Sequence, residues 1–154
     1  MSATLDADKF VKYFGTGTHF SLPGRSHPVK IRYVPEATHP VFELALMQAK
    51  DIHQNTRDGD ILIFFQSVEE VEEACSLLQE EMSDLVVLPL YATLPESQKN
   101  EIFDYEGSRR RCICSTNIAE ASVTIDGVVY VLGKYLICHG TGCVVFSAKP
   151  ANNK

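Results

Sequence analysis

Tryptophan is missing from these 154 residues, and cysteine is sparse, with five copies at 75, 112, 114, 138 and 143. No two of them form a C-x-x-C pair or stand at finger spacing with the five histidines, which excludes the familiar zinc modules. An odd, unpatterned set also excludes a disulfide-stapled secreted scaffold, so Cys75, Cys112, Cys114, Cys138 and Cys143 are read as reduced, buried structural thiols. Positive charge is short as well. Fourteen Lys and Arg against 20 Asp and Glu leave a net charge of -6, the wrong sign for binding nucleic acid by bulk electrostatics. Any contact with RNA or DNA must then run through a local patch. No apolar run approaches the ~20 residues of a membrane span. The opening MSATLDADKF has neither the basic start nor the apolar core of a secretory signal. A nuclear or cytoplasmic setting is therefore expected, with the nucleus preferred and no membrane partner. What remains is ordinary: 45% hydrophobic and 22% charged residues exclude disordered and collagen-like chains. A chain of this size buries about 70% of its unfolded surface, enough for one core but not for two full domains of ~100–150 residues.

Along the chain, residues 7–14 carry Phe10, Val11 and Phe14 at helical spacing before Gly15-Thr16-Gly17, which predicts a short helix and a loop. Residues 29–34 alternate apolar and basic side chains between Pro28 and Pro35, as an edge strand does. Pro40 opens a helix with Val41, Leu44, Ala45, Ala49 and Ile52 on one face. The apolar run at 61–65 predicts a strand buried on both sides, followed by a helix from Val68 to Leu78. The alternation repeats with a strand at 85–90, a helix from Pro95 through Phe103, a strand at 112–114 and a last strand at 128–132. The fold class is thus α/β, a mostly parallel sheet flanked by helices. Ligands of such sheets sit at the strands' carboxyl ends, which directs attention to the loops after Phe65, Leu90, Cys114 and Leu132.

Several familiar sites are not present in the sequence. Gly127 to Lys134 has the wrong spacer for a phosphate loop and ends on Tyr135 in place of a hydroxyl residue. His139, Cys138 and Cys143 match no four-ligand metal set, and no G-x-S-x-G elbow occurs. Two segments do stand out. The run STNIAEASVTIDG at 115–127 concentrates hydroxyl, amide and carboxylate groups directly after a buried strand, either as a helix cap or as a ligand-facing edge. Met1-Ser2-Ala3-Thr4 places a hydroxyl pair before a helix, where it serves equally as a cap.

STNIAEASVTIDGVVYV closely resembles motif V of the DEAH-box superfamily 2 RNA helicases, written near ATNIAETSLTIDGVxYVVD, and MSATLDADKFxxYF resembles their motif III. Between them, FSLPGRSHPVKIRYVPE is similar to the linker and first strand of the second RecA-like lobe, GDILIFFQSVEEVE to motif IV, and LPLYATLPESQKNEIF to the segment PLYSxLPxxxQxxIF. The resemblance covers 1–132 in order. It implies that residues 1–24 are the end of a first RecA-like lobe, 25–132 an incomplete second lobe, and 133–154 a tail outside the family pattern. It further implies ATP with magnesium as cofactors, RNA as partner, helicase-activating proteins as further partners, and RNA unwinding or ribonucleoprotein remodelling as function. By motif position, Ser2, Ala3 and Thr4 couple hydrolysis to lobe movement. Thr116 and Asn117 meet the RNA backbone, Thr124 and Asp126 face the nucleotide, and Phe103 stacks on adenine. Arg109, Arg110 and Arg111 form the only dense basic run and are expected to supply the local phosphate patch.

The departures are equally specific. Motif IV reads FQSVEEV where the family has FLTGQEEI, and motif V ends in Val131-Leu132-Gly133 where the family has V-V-D. The motif VI pattern QRxGRAGR, the phosphate loop and the DEAH box do not occur in the chain. The chain is accordingly expected to be a truncated helicase without ATPase activity of its own; the alternative is a non-catalytic RNA- or partner-binding fragment.

Overall fold

The sheet order, not the helices, sets where each functional segment lies. The computed structural model describes residues 7–15, 29–35, 39–117, 125–137 and 140–148. In chain order the elements are α1 (Ala7–Phe14), β1 (Val29–Pro35), α2 (Val41–Asn55), β2 (Asp60–Phe64), α3 (Val68–Glu81), β3 (Val86–Leu90), α4 (Glu96–Phe103), β4 (Arg111–Ser115), β5 (Val128–Ile137) and β6 (Gly140–Ala148). The strands form one sheet in the order β1-β6-β5-β2-β4-β3. β5, β2, β4 and β3 are mutually parallel, whereas β6 runs antiparallel to both β5 and β1. β1 is therefore an edge strand, as its apolar and basic alternation requires.

Parallel strands covered on both faces must be apolar throughout. Ile61, Leu62 and Ile63 of β2 and every residue of β4 are accordingly buried. Odd positions of β2 meet α2 and α3: Ile61, Ile63, Cys112, Cys114 and Leu132 pack with Ala49, Ile52, Val71, Ala74 and Leu78. Even positions face α4, where Leu62 and Ile113 pack with Leu90, Leu94 and Ile102. Ser67 caps α3 by accepting from the Glu70 N–H at 3.2 Å, and Glu70 returns a carboxylate oxygen to the Gln66 N–H at 2.9 Å. This local S-x-x-E arrangement holds the β2–α3 loop.

One expectation is corrected. The strand at 128–132 is not the last, because β5 continues to Ile137 and pairs along its length with β6, which sits between β5 and β1. The strand thus crosses the boundary drawn at 132, and Leu132 is followed by more strand instead of a loop. Gly140 to Phe146 includes Thr141, Val144, Val145 and Phe146, β-branched and aromatic residues that favour extended pairing, and β5 adds Tyr135 and Ile137.

Three cysteines, Cys75, Cys112 and Cys114, are free and buried between α3 and β4. Hydrogen bonding among them, first from Cys112 and then from Cys75, together with burial, pushes the Cys114 thiol well above its ordinary value. The thiolate is the reactive form, so these side chains are expected to be inert. Iodoacetamide treatment at pH 8 with peptide mapping is expected to leave Cys75, Cys112 and Cys114 unmodified in the native chain and to modify them in urea. Native labelling of Cys114 at the rate of a free thiol would contradict this packing. Cys138 lies outside the described residues.

Candidate functional site

The carboxyl edge of the sheet carries Gln66 and Ser67 after β2, Tyr91 after β3, and Thr116 and Asn117 after β4. Backbone hydrogen bonds fix this edge: the Thr116 N–H donates to Leu90 O at 3.1 Å and the Phe65 N–H to Ser115 O at 2.8 Å. The Ser115 hydroxyl donates to the carbonyl of Thr116 at 2.7 Å, which leaves Thr116 half-buried and Asn117 exposed. Tyr91 donates to Glu72 at 3.0 Å, and that bond, with burial, raises the phenol above its ordinary value. The cavity beside Phe42, Phe65, Gln66 and Gly133 measures about 50 Å³, room for water but not for a nucleotide.

The amino edge is built around one guanidinium. Arg111, the first residue of β4, donates from Nη1 to Ile102 O at 2.7 Å and from Nη2 to Asp126 O at 2.5 Å. Asp60, the first residue of β2, accepts from Arg111 Nε at 2.7 Å and from its backbone N–H at 2.8 Å, with Nη2 at 2.6 Å completing the ion pair. The Asp60 N–H in turn donates to Gly127 O at 2.8 Å, and the Tyr105 ring lies 5.2 Å from the guanidinium carbon. Arg111 is 7% exposed. It therefore ties the end of α4, where Phe103 is 38% exposed, to the turn before β5, where the Asp126 side chain faces solvent.

The candidate residues consequently fall into two groups. Phe103 and Asp126 share the amino edge, while Thr116 and Asn117 share the carboxyl edge, about 17 Å away along a five-residue strand. The rule that directs ligands to carboxyl ends finds only the second group. Thr124, and Ser2, Ala3 and Thr4, lie outside the described residues.

The arginine run, expected to supply a phosphate patch, divides, and its three members have different surroundings. Arg111 is buried in the ion pair with Asp60. Arg110 is half-buried and donates to Ile52 O in the last turn of α2 at 3.2 Å, and to Thr56 O at 3.0 Å and Asp58 O at 2.8 Å just beyond it. Its guanidinium carbon stands 5.8 Å from the Tyr130 ring centre. Only Arg109 is exposed, and all three stand at the edge opposite Thr116 and Asn117. Two of the three are thus structural, because the sheet entry needs donors for carbonyls that no ladder satisfies.

Asp60 and Tyr105 were not singled out by sequence, although with Gly127 they hold the amino edge together. Asp58-Gly59-Asp60 reads as a turn, and the one available signal is a carboxylate set directly against a buried run. An exposed aromatic face and a solvent-facing carboxylate on one edge fit a nucleobase and a ribose hydroxyl. Among the described residues no group of three or more His, Cys, Asp or Glu stands close enough to hold a metal ion. The described residues therefore fit the organic part of a nucleotide but not its magnesium.

Comparison with known proteins agrees with this architecture. Residues 44–134 match the helicase conserved C-terminal domain. Over 139 residues the chain is 40% identical to the pre-mRNA-splicing factor ATP-dependent RNA helicase prp22 of Schizosaccharomyces pombe, covering 85% of this chain and 12% of that protein. The crystal structure of the E. coli DExH-box NTPase HrpB is similar with a TM-score of 0.69 at 26% identity, covering 86% of this chain and 17% of the solved one. The chain thus spans between about an eighth and a sixth of the length of these relatives.

Proposed function

The chain belongs to the helicase conserved C-terminal domain family, in its DEAH-box RNA helicase branch, and from that membership we propose that it acts as the second RecA-like lobe of an ATP-dependent enzyme that unwinds RNA or remodels ribonucleoprotein. The observation that carries the proposal is the division between the edges, with Phe103 and Asp126 tethered by Arg111 at one and Thr116 and Asn117 at the other.

In this reading Phe103 offers a ring face to the base, which tolerates any base, and Asp126 with Thr124 takes the ribose. Thr116 and Asn117 contact RNA phosphates, which position the strand without reading sequence. Ser2, Ala3 and Thr4 couple hydrolysis to lobe movement. ATP with magnesium is the proposed cofactor of the whole enzyme, supplying the free energy of phosphoryl transfer. Such transfer depends on a phosphate loop, metal-holding carboxylates and an arginine finger acting together. The 154 residues contain none of their motifs, so this chain by itself hydrolyses no ATP. The name of the yeast relative speaks of pre-mRNA splicing, and a nuclear RNA substrate, met with activating protein partners, is the corresponding proposal.

The test has two arms. Phosphate release by the purified chain, with and without single-stranded RNA, is expected to equal the blank. RNA anisotropy is expected to weaken about fivefold on Asn117→Ala, one lost hydrogen bond of about 1 kcal/mol. Hydrolysis that follows the chain through purification would overturn the first claim, and RNA binding indifferent to Asn117 the second.

A further inference from the structure

An open cleft of about 660 Å³ lies at the amino edge, on the α2 and α3 side, between the end of α2, the end of α3 and the turn before β4. Its walls include His53, Arg57, Glu81, Asp84, Arg109 and Arg110. The two carboxylates are already engaged. Glu81 pairs with Lys50 at 2.5 Å, and Asp84 with His53 at 3.1 Å, a bond that holds the Asp84 carboxyl below its ordinary value. Arg110 donates from both terminal nitrogens to three backbone carbonyls and the Thr56 hydroxyl but keeps its charge, since no carboxylate pairs with it among the described residues. Arg57 is exposed and makes no hydrogen bond or ion pair among the described residues, and Arg109 reaches only Ser83 O, at 3.5 Å. Both buried side-chain nitrogens without a partner among the described residues, His53 Nδ1 and Arg110 Nε, belong to this same wall. In a chain of net charge -6, this concavity thus brings together three guanidinium groups that no carboxylate of the described residues pairs.

We propose that this cleft docks an acidic segment of a partner protein, two of whose carboxylates pair with Arg57 and Arg109. Guanidinium forks match carboxylates with two parallel hydrogen bonds, a geometry that lysine cannot supply. Nucleic acid is the poorer occupant on two counts. Glu81 and Asp84 repel a continuous phosphate backbone, and the cleft walls hold no Phe, Tyr or Trp, while the His53 ring is 13% exposed and bound to Asp84, which leaves little face on which a base could stack. A peptide carries separated charges, and its backbone N–H groups suit the carboxylates that repel RNA. The site lies at the edge opposite Asn117 and on the sheet face away from α4 and Phe103, so it adds a partner-binding role to the proposed lobe and does not depend on the nucleotide or RNA assignments.

A fluorescein-labelled peptide of alternating glutamate and serine, titrated into the full chain at low salt and read by anisotropy, tests the proposal. The double variant Arg57→Ala, Arg109→Ala is expected to bind at least tenfold more weakly, and the charge reversal Arg57→Glu, Arg109→Glu to show no binding. Asn117→Ala is expected to bind as the parent does. Both arginines are exposed, so circular dichroism and melting of the variants are expected to match the parent. Equal binding by parent and double variant would overturn the proposal. So would displacement of the peptide by oligouridine whose own binding is lost in the double variant, because the cleft would then be a nucleic-acid site.

Discussion

Replacement of Arg111 by alanine is expected to destabilise the chain by about 3–5 kcal/mol, the cost of removing one partner of a buried ion pair. Domains of this size are stable by about 5–15 kcal/mol in total, so the variant sits near the edge of folding. The loss has three parts. Asp60, whose side chain is 14% exposed, is left as an uncompensated charge. The carbonyls of Ile102 and Asp126 lose their donor. The Tyr105 ring loses the guanidinium beside it. Urea unfolding of parent and variant measures the change from the midpoint and slope. Arg111→Lys is expected to recover only part of it, because an ammonium cannot reach Asp60, Ile102 O and Asp126 O in one plane. Arg111→Met with Asp60→Leu is expected to be more stable than Arg111→Ala, since both charges leave together. A loss below 1 kcal/mol for Arg111→Ala would mean that the network contributes little to the fold. Because the same guanidinium tethers the segments bearing Phe103 and Asp126, nucleotide affinity is expected to fall even where Arg111→Lys folds.

The role of Arg111 also shows where sequence ceases to be informative. The β2 and β4 strands are legible because burial on both faces demands unbroken apolar residues, and 61–65 and 112–114 meet that demand. The edge placement of β1 is legible from its alternation. Three consecutive arginines, by contrast, look alike in sequence, and what separates them is that two of them find partners 50 or more residues away: Ile52, Thr56 and Asp58 for Arg110, Asp60 for Arg111. Such pairings depend on which strand lies beside which, information that no local spacing holds. Phe103 is similar, because a half-exposed aromatic at a helix end and a core aromatic have the same helical spacing. The hairpin of β5 and β6 was hidden for another reason. Its pairing is antiparallel within a sheet whose other signals are parallel, and its residues depart from the family pattern that organises the rest.

Gly59→Ala is the second change expected to be severe, at about 2–5 kcal/mol from left-handed backbone strain and overpacking combined. Gly59 has φ +78°, and a methyl group there would stand 2.1 Å from Val129 Cγ2 and 2.4 Å from Val129 Cβ. A contact of that length requires the backbone at the entry to β2 or to β5 to move, since Val129 is branched at the very atom being met. Gly15→Ala supplies the comparison: its φ of +62° carries the same backbone strain, but among the described residues nothing lies within 4 Å of the added carbon. The difference in urea midpoint between the two alanine variants therefore isolates the steric part. If Gly59→Ala and Gly15→Ala lose equal stability, the packing of Val129 against the β2 entry is looser than these distances require. Gly127→Ala, at φ +90° with Asp60 Oδ2 at 3.0 Å and Arg111 Nη2 at 3.2 Å, is expected to fall between them. Here the neighbours are the ion pair itself, so the added carbon loosens the tether of Asp126 as well as the fold. A Gly127→Ala chain that keeps most of its stability but loses nucleotide affinity would separate the two roles of the amino edge, holding the strands together and aiming Asp126.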